Sequence, residues 1–332
     1  MKIALDVMGF ENDISEAIKA ARKFVKKYND VNIILVGDSK IIKPLIKENE
    51  FEICYAKDVI QMDTTPIQAL RMNDSSMYKA IELVKNNVAD GVLSAGSTSG
   101  YVTIVRFLLE PIENLARAGF MPFLPTTTKG KYFVIIDAGA NKECNGQDLY
   151  NFARMANIYL KNVENIPNPS IGVINIGTET NKGFDYHHIA NDMLLNDKEL
   201  NYVGFVEPRE LMQGIVDIAI CDGYTGNLVL KSLEGGLKSI SISLKKNFKK
   251  PWNWLAAISS IFVLKNIKKT YDYKNKAGAI VLGLTKPAVK THGSADEQQF
   301  YSALVLLYQV IKNKVTEKIQ KQFKWQWKYN NR

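Results

Sequence analysis

The stretch Asn175-Ile-Gly-Thr-Glu-Thr-Asn-Lys-Gly183 brings together residue types suited to holding an anion. An apolar run, Ile171 to Ile176, precedes it and a helix-like segment follows, so it reads as strand, loop, helix. Such a loop turns backbone N–H groups outward at a helix N-terminus, where negative charge is favoured. Gly177 and Gly183 let the backbone approach a ligand, Thr178 and Thr180 add hydroxyls, and Lys182 adds a compact positive charge suited to phosphate. The pattern recurs. Apolar runs also stop at Asp6, at Ser94-Ala-Gly-Ser-Thr-Ser-Gly100 with Ser97 and Thr98, at Asp137-Ala-Gly-Ala-Asn141, and at Asp222-Gly-Tyr-Thr-Gly-Asn227 with Gly223, Thr225 and Gly226. One such loop is explained by ordinary turn and capping chemistry; five point to a shared site.

The elements that must position these loops alternate. Lys2–Val7, Val31–Val36, Phe51–Tyr55, Asp90–Leu93, Tyr132–Asp137, Ile171–Ile176, Tyr202–Val206 and Ile215–Cys221 read as strands. Helical spacing appears at Ile14–Tyr28, Met77–Asn87, Val102–Leu109, Leu149–Leu160 and Tyr186–Leu195. Alternation predicts an α/β fold with a largely parallel sheet flanked by helices. In a parallel sheet every carboxyl end lies on one rim, so the five loops are expected to meet there. Residues 110 to 130, rich in Pro and Thr, read as a long connection. Two short strands, Ala277–Leu284 and Ala288–Lys290, precede Thr291-His-Gly-Ser-Ala-Asp-Glu297 and a closing helix with Phe300, Leu304, Leu307, Ile311 and Val315.

The chain has 332 residues, 46% of them hydrophobic, enough for one large α/β domain or two close-packed ones. Lys and Arg total 43 against 34 acids, a net charge of +9, which favours an acidic partner or substrate. The three cysteines, Cys54, Cys144 and Cys221, form no framework and suit a reducing cytosol. The N-terminus is too short and too soon acidic for a signal peptide, and no apolar run reaches the length of a membrane span. There is no GxGxxG and no Walker loop. His187 and His188 are helix neighbours that face apart, and no other cluster suits a metal. Cys221 closes an apolar strand, where cysteine is usually inert.

Leu230, Leu233, Leu237, Ile240 and Leu244 form a short helical seam suited to a helix of the same or a second subunit. Pro251 to Leu264, with Trp252 and Trp254, is bracketed by Lys245, Lys246, Lys249, Lys250, Lys265, Lys268 and Lys269. This pattern fits an interfacial anchor on anionic lipid; a buried helix at a subunit contact is the other reading. The tail from Lys321 to Arg332, with Trp325, Trp327 and Tyr329, reads as a frayed solvated end, with nucleic-acid or lipid binding as the alternative.

Taken together, the chain resembles phosphate acyltransferases, which make acyl-phosphate from acyl carrier protein thioesters for bacterial phospholipid synthesis. The similar stretches are Ile3–Gly9, Leu93–Thr98, Asp137–Asn141, Asn175–Glu179 with Lys182-Gly183, Gly204–Glu207, Asp222–Asn227 with Leu230-Lys231, Gly278-Ala279 with Leu282–Leu284, and His292–Ser294 with Asp296. Phe10-Glu11 stand where the family usually has Gly-Asp, and Ser97 where Asn is common. The resemblance implies a fold like isocitrate and isopropylmalate dehydrogenases and a homodimer. It implies a single catalytic domain over 1–332, with a projecting helical hairpin at 228–275. It also implies a cytoplasmic enzyme held peripherally at the inner face of the membrane through Trp252–Leu264. The expected partners are an acidic acyl carrier protein and inorganic phosphate. No cofactor and no nucleic acid are expected.

Such a reaction asks little acid–base help, because phosphate is ionised near pH 7 and a thiolate, with a pKa of roughly 8.5, leaves readily. It does require a held anion and a stabilised oxyanion. Lys182, Lys231 and Gly-rich loop amides suit the first task; Asn227, Asn141 and His292 are candidate donors for the second. Asp222 and Asp137 would orient those donors. The competing readings are a dehydrogenase of the same fold and a non-catalytic basic scaffold binding membrane or nucleic acid.

Overall fold

The structure is a computed structural model and describes residues 1–271 and 276–330. Its centre is an eleven-stranded sheet. The strands are β1 (Lys2–Asp6), β2 (Asn32–Gly37), β3 (Glu52–Tyr55), β4 (Gly91–Ser94), β5 (Gly119–Pro125), β6 (Tyr132–Ile136), β7 (Ser170–Ile174), β8 (Asn201–Val206), β9 (Ile218–Ile220), β10 (Ala279–Leu282) and β11 (Ala288–Lys290). Across the sheet they run β3-β2-β1-β4-β11-β10-β5-β6-β9-β7-β8.

The α-helices are α1 (Ile14–Lys27), α2 (Ser39–Ile42), α3 (Pro66–Arg71), α4 (Ser76–Lys85), α5 (Thr98–Leu108), α6 (Gly146–Asn162), α7 (Asp185–Asn196), α8 (Gly223–Phe248), α9 (Trp254–Ser259), α10 (Ile261–Thr270), α11 (Glu297–Lys312) and α12 (Val315–Asn330), and all but α9 and α10 flank the sheet or its covering helices. Alternating strand residues feed two cores. Ile3 and Leu5 of β1 pack with α1, α6 and α11 on one side, while Ala4 packs with α4 and α5 on the other. α6 is buried along most of its length because α7 and α12 cover it.

The sheet is not one parallel array. β3, β2, β1, β4 and β11 pair in parallel, and so do β6, β9, β7 and β8. Between the two blocks come three antiparallel pairings in succession, β11–β10, β10–β5 and β5–β6. An odd number of reversals leaves the blocks pointing oppositely. The expectation that all five loops share one rim is therefore corrected: the loops after β1 and β4 lie at one rim, those after β6, β7 and β9 at the other.

Two further expectations change. Residues 110 to 130 are not simply a connection, because β5 is a buried central strand within them. Pro122 and Pro125 argue against a central strand, since each lacks a ladder donor; burial of all seven residues outweighs that loss. The tail is also not frayed through most of its length. α12 continues to Asn330, with Ile319 and Phe323 buried and α6 beneath it. Residues 331–332 and the side chains of Trp325, Trp327 and Tyr329, on which the binding alternative rests, lie outside the described residues.

α8, α9 and α10 leave the sheet after the first turns of α8. Val229, Leu230 and Leu233 still touch the core, but Ile240, Ile242, Leu255 and Phe262 are exposed, and α10 buries no residue. Among the described residues no helix is long and apolar enough to cross a membrane.

Candidate active site

Three loops converge where β6, β7 and β9 end. At the end of β6, Asp137 is wholly buried, a position that only saturation with donors makes tolerable for a carboxylate. Its Oδ1 accepts from the backbone N–H groups of Phe120, Gly139 and Ala140 at 3.0, 3.1 and 2.9 Å. Its Oδ2 accepts from the Asn141 backbone and side-chain nitrogens at 2.7 and 2.8 Å. Burial pushes its pKa up, and these hydrogen bonds pull against that.

Asp222, just past β9, caps α8. It accepts from Thr225 N at 2.9 Å, Thr225 Oγ1 at 2.7 Å and the Tyr186 hydroxyl at 3.1 Å. Burial, then the charge of Asp222, pushes the Tyr186 phenol up, so it stays a donor. α8 then seats directly on the 137–141 loop: Gly223 N–H donates to Asn141 O at 2.8 Å, and a Cβ at Gly226 would overlap the Asp137 carbonyl. Glycine is required at both contacts, which explains their place in the Asp222–Asn227 run. Asn227 lies against Gly139, where a Cβ would stand 3.6 Å from its Cγ.

The loop after β7 is tied by Asn175, which donates to Lys182 O at 2.9 Å and accepts from Ile176 N at 2.8 Å. Gly183 has φ +96° and packs on Asn175 and His187. His187 is buried and accepts from Phe184 N at Nδ1, 3.0 Å, which makes it a brace for the start of α7. Lys182 lies over Gly177, with its Cγ 3.4 Å from where a Cβ would be. Thr178 and Lys182 are exposed, as is Lys231 on α8. Among the described residues neither ammonium has a carboxylate partner.

The second group lies at the opposite rim. Asp6 accepts from Ser94 Oγ at 2.7 Å and Met8 N at 3.2 Å, and burial lifts its pKa to about 6. Ser97 caps α5 by accepting from Gly100 N at 3.4 Å, leaving Thr98 exposed. His292 accepts from Ser294 N at Nδ1, 3.1 Å, so the neutral ring carries its proton on Nε2. Helix α5 joins the rims: it starts at Thr98, and Arg106 Nη1 donates to Ala140 O at 3.2 Å. Those two residues are eight apart, or about 12 Å at the helical rise.

The structure thus brings together Asn141, Gly177, Thr178, Lys182, Gly183, Asp222, Gly223, Thr225, Gly226 and Asn227, and it separates from them Asp6, Ser97, Thr98 and His292. Asn141 has a different task from the donor expected: its Nδ2 donates to Ala118 O at 2.8 Å as well as to Asp137, so it braces the loop. Tyr186 and Arg106 had not been singled out. Arg106 carries a signal in the sequence, as the sole charged residue of α5. Burial raises the thiol pKa of all three cysteines, with Cys144 at about 12 and Cys221 well above the ordinary value, so none is a thiolate near neutral pH. Among the described residues no cluster of three His, Cys, Asp or Glu could hold a metal.

The model of a family described as fatty acid synthesis protein matches residues 1–318. A phosphate acyltransferase of Malacoplasma penetrans is 52% identical over 325 residues, 97% of this chain and 98% of that one. Among solved structures, a phosphotransacetylase from Streptococcus pyogenes aligns with TM-score 0.60 at 18% identity, covering 94% of each chain. An isocitrate dehydrogenase from Methylococcus capsulatus aligns with TM-score 0.52 at 9% identity, covering 96% of this chain and 88% of that one, which bears out the expected fold class. On the strength of its near full-length identity to such relatives, the chain belongs to the phosphate acyltransferase family and is an acyltransferase.

Proposed function

We propose that the protein transfers a fatty acyl group from an acyl carrier protein thioester to inorganic phosphate, giving acyl-phosphate for phospholipid synthesis, by direct attack of phosphate on the thioester. The observation that carries this reading is the pairing, among the described residues, of two ammonium groups that lack a carboxylate partner with cysteines that burial keeps as thiols. The oxygens of Asp137 and Asp222 are taken up by neighbouring donors, so the two side chains brace the 137–141 loop and the start of α8. Among the described residues Lys182 and Lys231 pair with no carboxylate, and a phosphate beside them would gain charge-assisted hydrogen bonds. Every cysteine is held as a neutral thiol, which disfavours an acyl-enzyme.

In this reading Lys182 and Lys231 hold the phosphate with the amides near Gly177, Thr178 and Gly183. Asn227 donates to the oxyanion, and Asn141 acts as a positioning residue. Ser97, Thr98 and His292, at the far end of α5, face the donor's carrier arm. Residues 1–332 act as one catalytic unit, with 228–275 as its hairpin. The exposed Trp252, Leu255 and Phe262, bracketed by lysines, suit an anionic membrane at the cytoplasmic face, and the seam on α8 suits a second copy of the chain.

The test is to incubate purified protein with an acyl carrier protein thioester and to read the free thiol with a thiol reagent and the acyl-phosphate by phosphorus NMR. Free carrier thiol and acyl-phosphate should appear together and only with phosphate present. An intact thioester would reject the reading, and saturable binding of a nicotinamide nucleotide would turn attention to a dehydrogenase.

A further inference from the structure

Lys290 is the last residue of β11, it is only 5% exposed, and it plays no part in the chemistry described so far. Its ammonium donates to the Thr291 carbonyl at 2.8 Å. Among the described residues no carboxylate pairs with it. Strand alternation fixes its direction. Ala288 packs in the core beneath α4 and α5, and Val289 packs in the opposite core, so Lys290 turns back toward α5. The same alternation puts Asp6 and Ser94 on that side, because Ala4 and Val92 pack under α4 and α5 while Leu5 and Leu93 do not. Ser94 is the register partner of Lys290 and gives its hydroxyl to Asp6. Asp6, Ser94 and Lys290 therefore form a row across β1, β4 and β11. Helix α5 lies over the row: its Tyr101 hydroxyl donates to Val289 O at 2.8 Å.

A buried ammonium without a counter-charge is costly, and a methionine or leucine there would pack without that cost. Asp6 does not supply the charge. Its partners are Ser94, Ser76 and Met8. The remaining groups at this rim are mostly donors: the backbone amides of Thr98 and Ser99 at the start of α5, the exposed hydroxyls of those two residues, and Nε2 of His292. Glu11 is exposed there as well.

We propose that Lys290 is the buried counter-charge for a phosphate-type anion bound at the rim formed by β1, β4 and β11, with the N-terminus of α5 as its second contact. The inference rests on the proposed function only for the source of that anion. It is either inorganic phosphate or the phosphodiester of the arm that carries the donor's thioester.

The test compares native protein with K290M, and with K290Q as a second neutral variant. Calorimetry reads the binding of inorganic phosphate and of phosphopantetheine, and steady-state turnover reads KM for phosphate and for the thioester donor separately. The expected result is a variant that melts at or above the native temperature yet binds one of the two probes roughly tenfold more weakly or worse, with the matching KM raised. Whichever KM rises names the source. Unchanged binding and unchanged KM values, with or without a lower melting temperature, would overturn the proposal and leave Lys290 structural. Because binding is read without turnover, a protein that binds through Lys290 but transfers no acyl group would refute the proposed reaction and keep this site.

Discussion

Asp6 shows what a strand-end carboxylate costs when it is fully enclosed. Burial lifts its pKa from the ordinary 3.8 to about 6 against the pull of Ser94, Ser76 and Met8. A raised carboxyl pKa favours the folded state fully only below the unfolded value, and that contribution is lost as pH rises through about 6. At pH 7 the penalty is about 3 kcal/mol. Asn can keep both hydrogen bonds, donating to Ser94 and accepting from Met8. Urea unfolding of D6N at pH 7.5 should therefore show a gain of up to about 3 kcal/mol over native protein. The gain should shrink toward zero by pH 4, and a pH-independent difference would contradict the assignment. In the sequence Asp6 was visible as the acid that ends an apolar run. Lys290 was not, because Val289-Lys290-Thr291 reads as a strand end with one solvent-facing residue. Only the helix packed over it makes that position interior. Asn141 was visible as a loop donor, but its consumption by Ala118 and Asp137 depends on contacts from 23 and 4 residues away.

At the scale of elements, the docking of α8 onto the 137–141 loop sets the site, and two glycines of the same helix separate packing from propensity. A Cβ at Gly226 would overlap the Asp137 carbonyl, whereas one at Gly235 meets nothing within 4 Å. G226A should lose about 1–3 kcal/mol and most turnover. G235A, in an exposed helix interior, should gain about 0.5–1 kcal/mol and keep its turnover. Thermal melting and initial rates of the two variants check both halves. Most strands and their polar ends were legible because apolar runs stop at Asp, Gly and Ser. Strand direction was not, since an apolar run looks the same pointing either way and the reversal is made by β10 and β5. Strand β5 itself was hidden by Pro122 and Pro125, whose missing donors weigh against a central strand until burial on both sides is known.

For the whole molecule, α9, α10 and the part of α8 after Leu233 carry apolar side chains that the core does not use. Leu255 is 77% and Phe262 76% exposed. If they face an anionic membrane, L255E/F262E should lose most of its cosedimentation with phosphatidylglycerol vesicles. It should keep its melting temperature and its turnover of a soluble donor. Native protein should bind neutral vesicles weakly, because Lys265, Lys268 and Lys269 act only on anionic lipid. A parallel loss of stability would show instead that these residues are internal to the fold.

The central claim, acyl transfer straight from a thioester to phosphate, is tested most directly by a single-turnover quench with enzyme in excess of an acyl carrier protein thioester. The account predicts that without phosphate the thioester persists and the protein's mass is unchanged, and that added phosphate releases the thiol and acyl-phosphate in one phase. Loss of the thioester without phosphate, with the acyl mass retained on the protein, would contradict it.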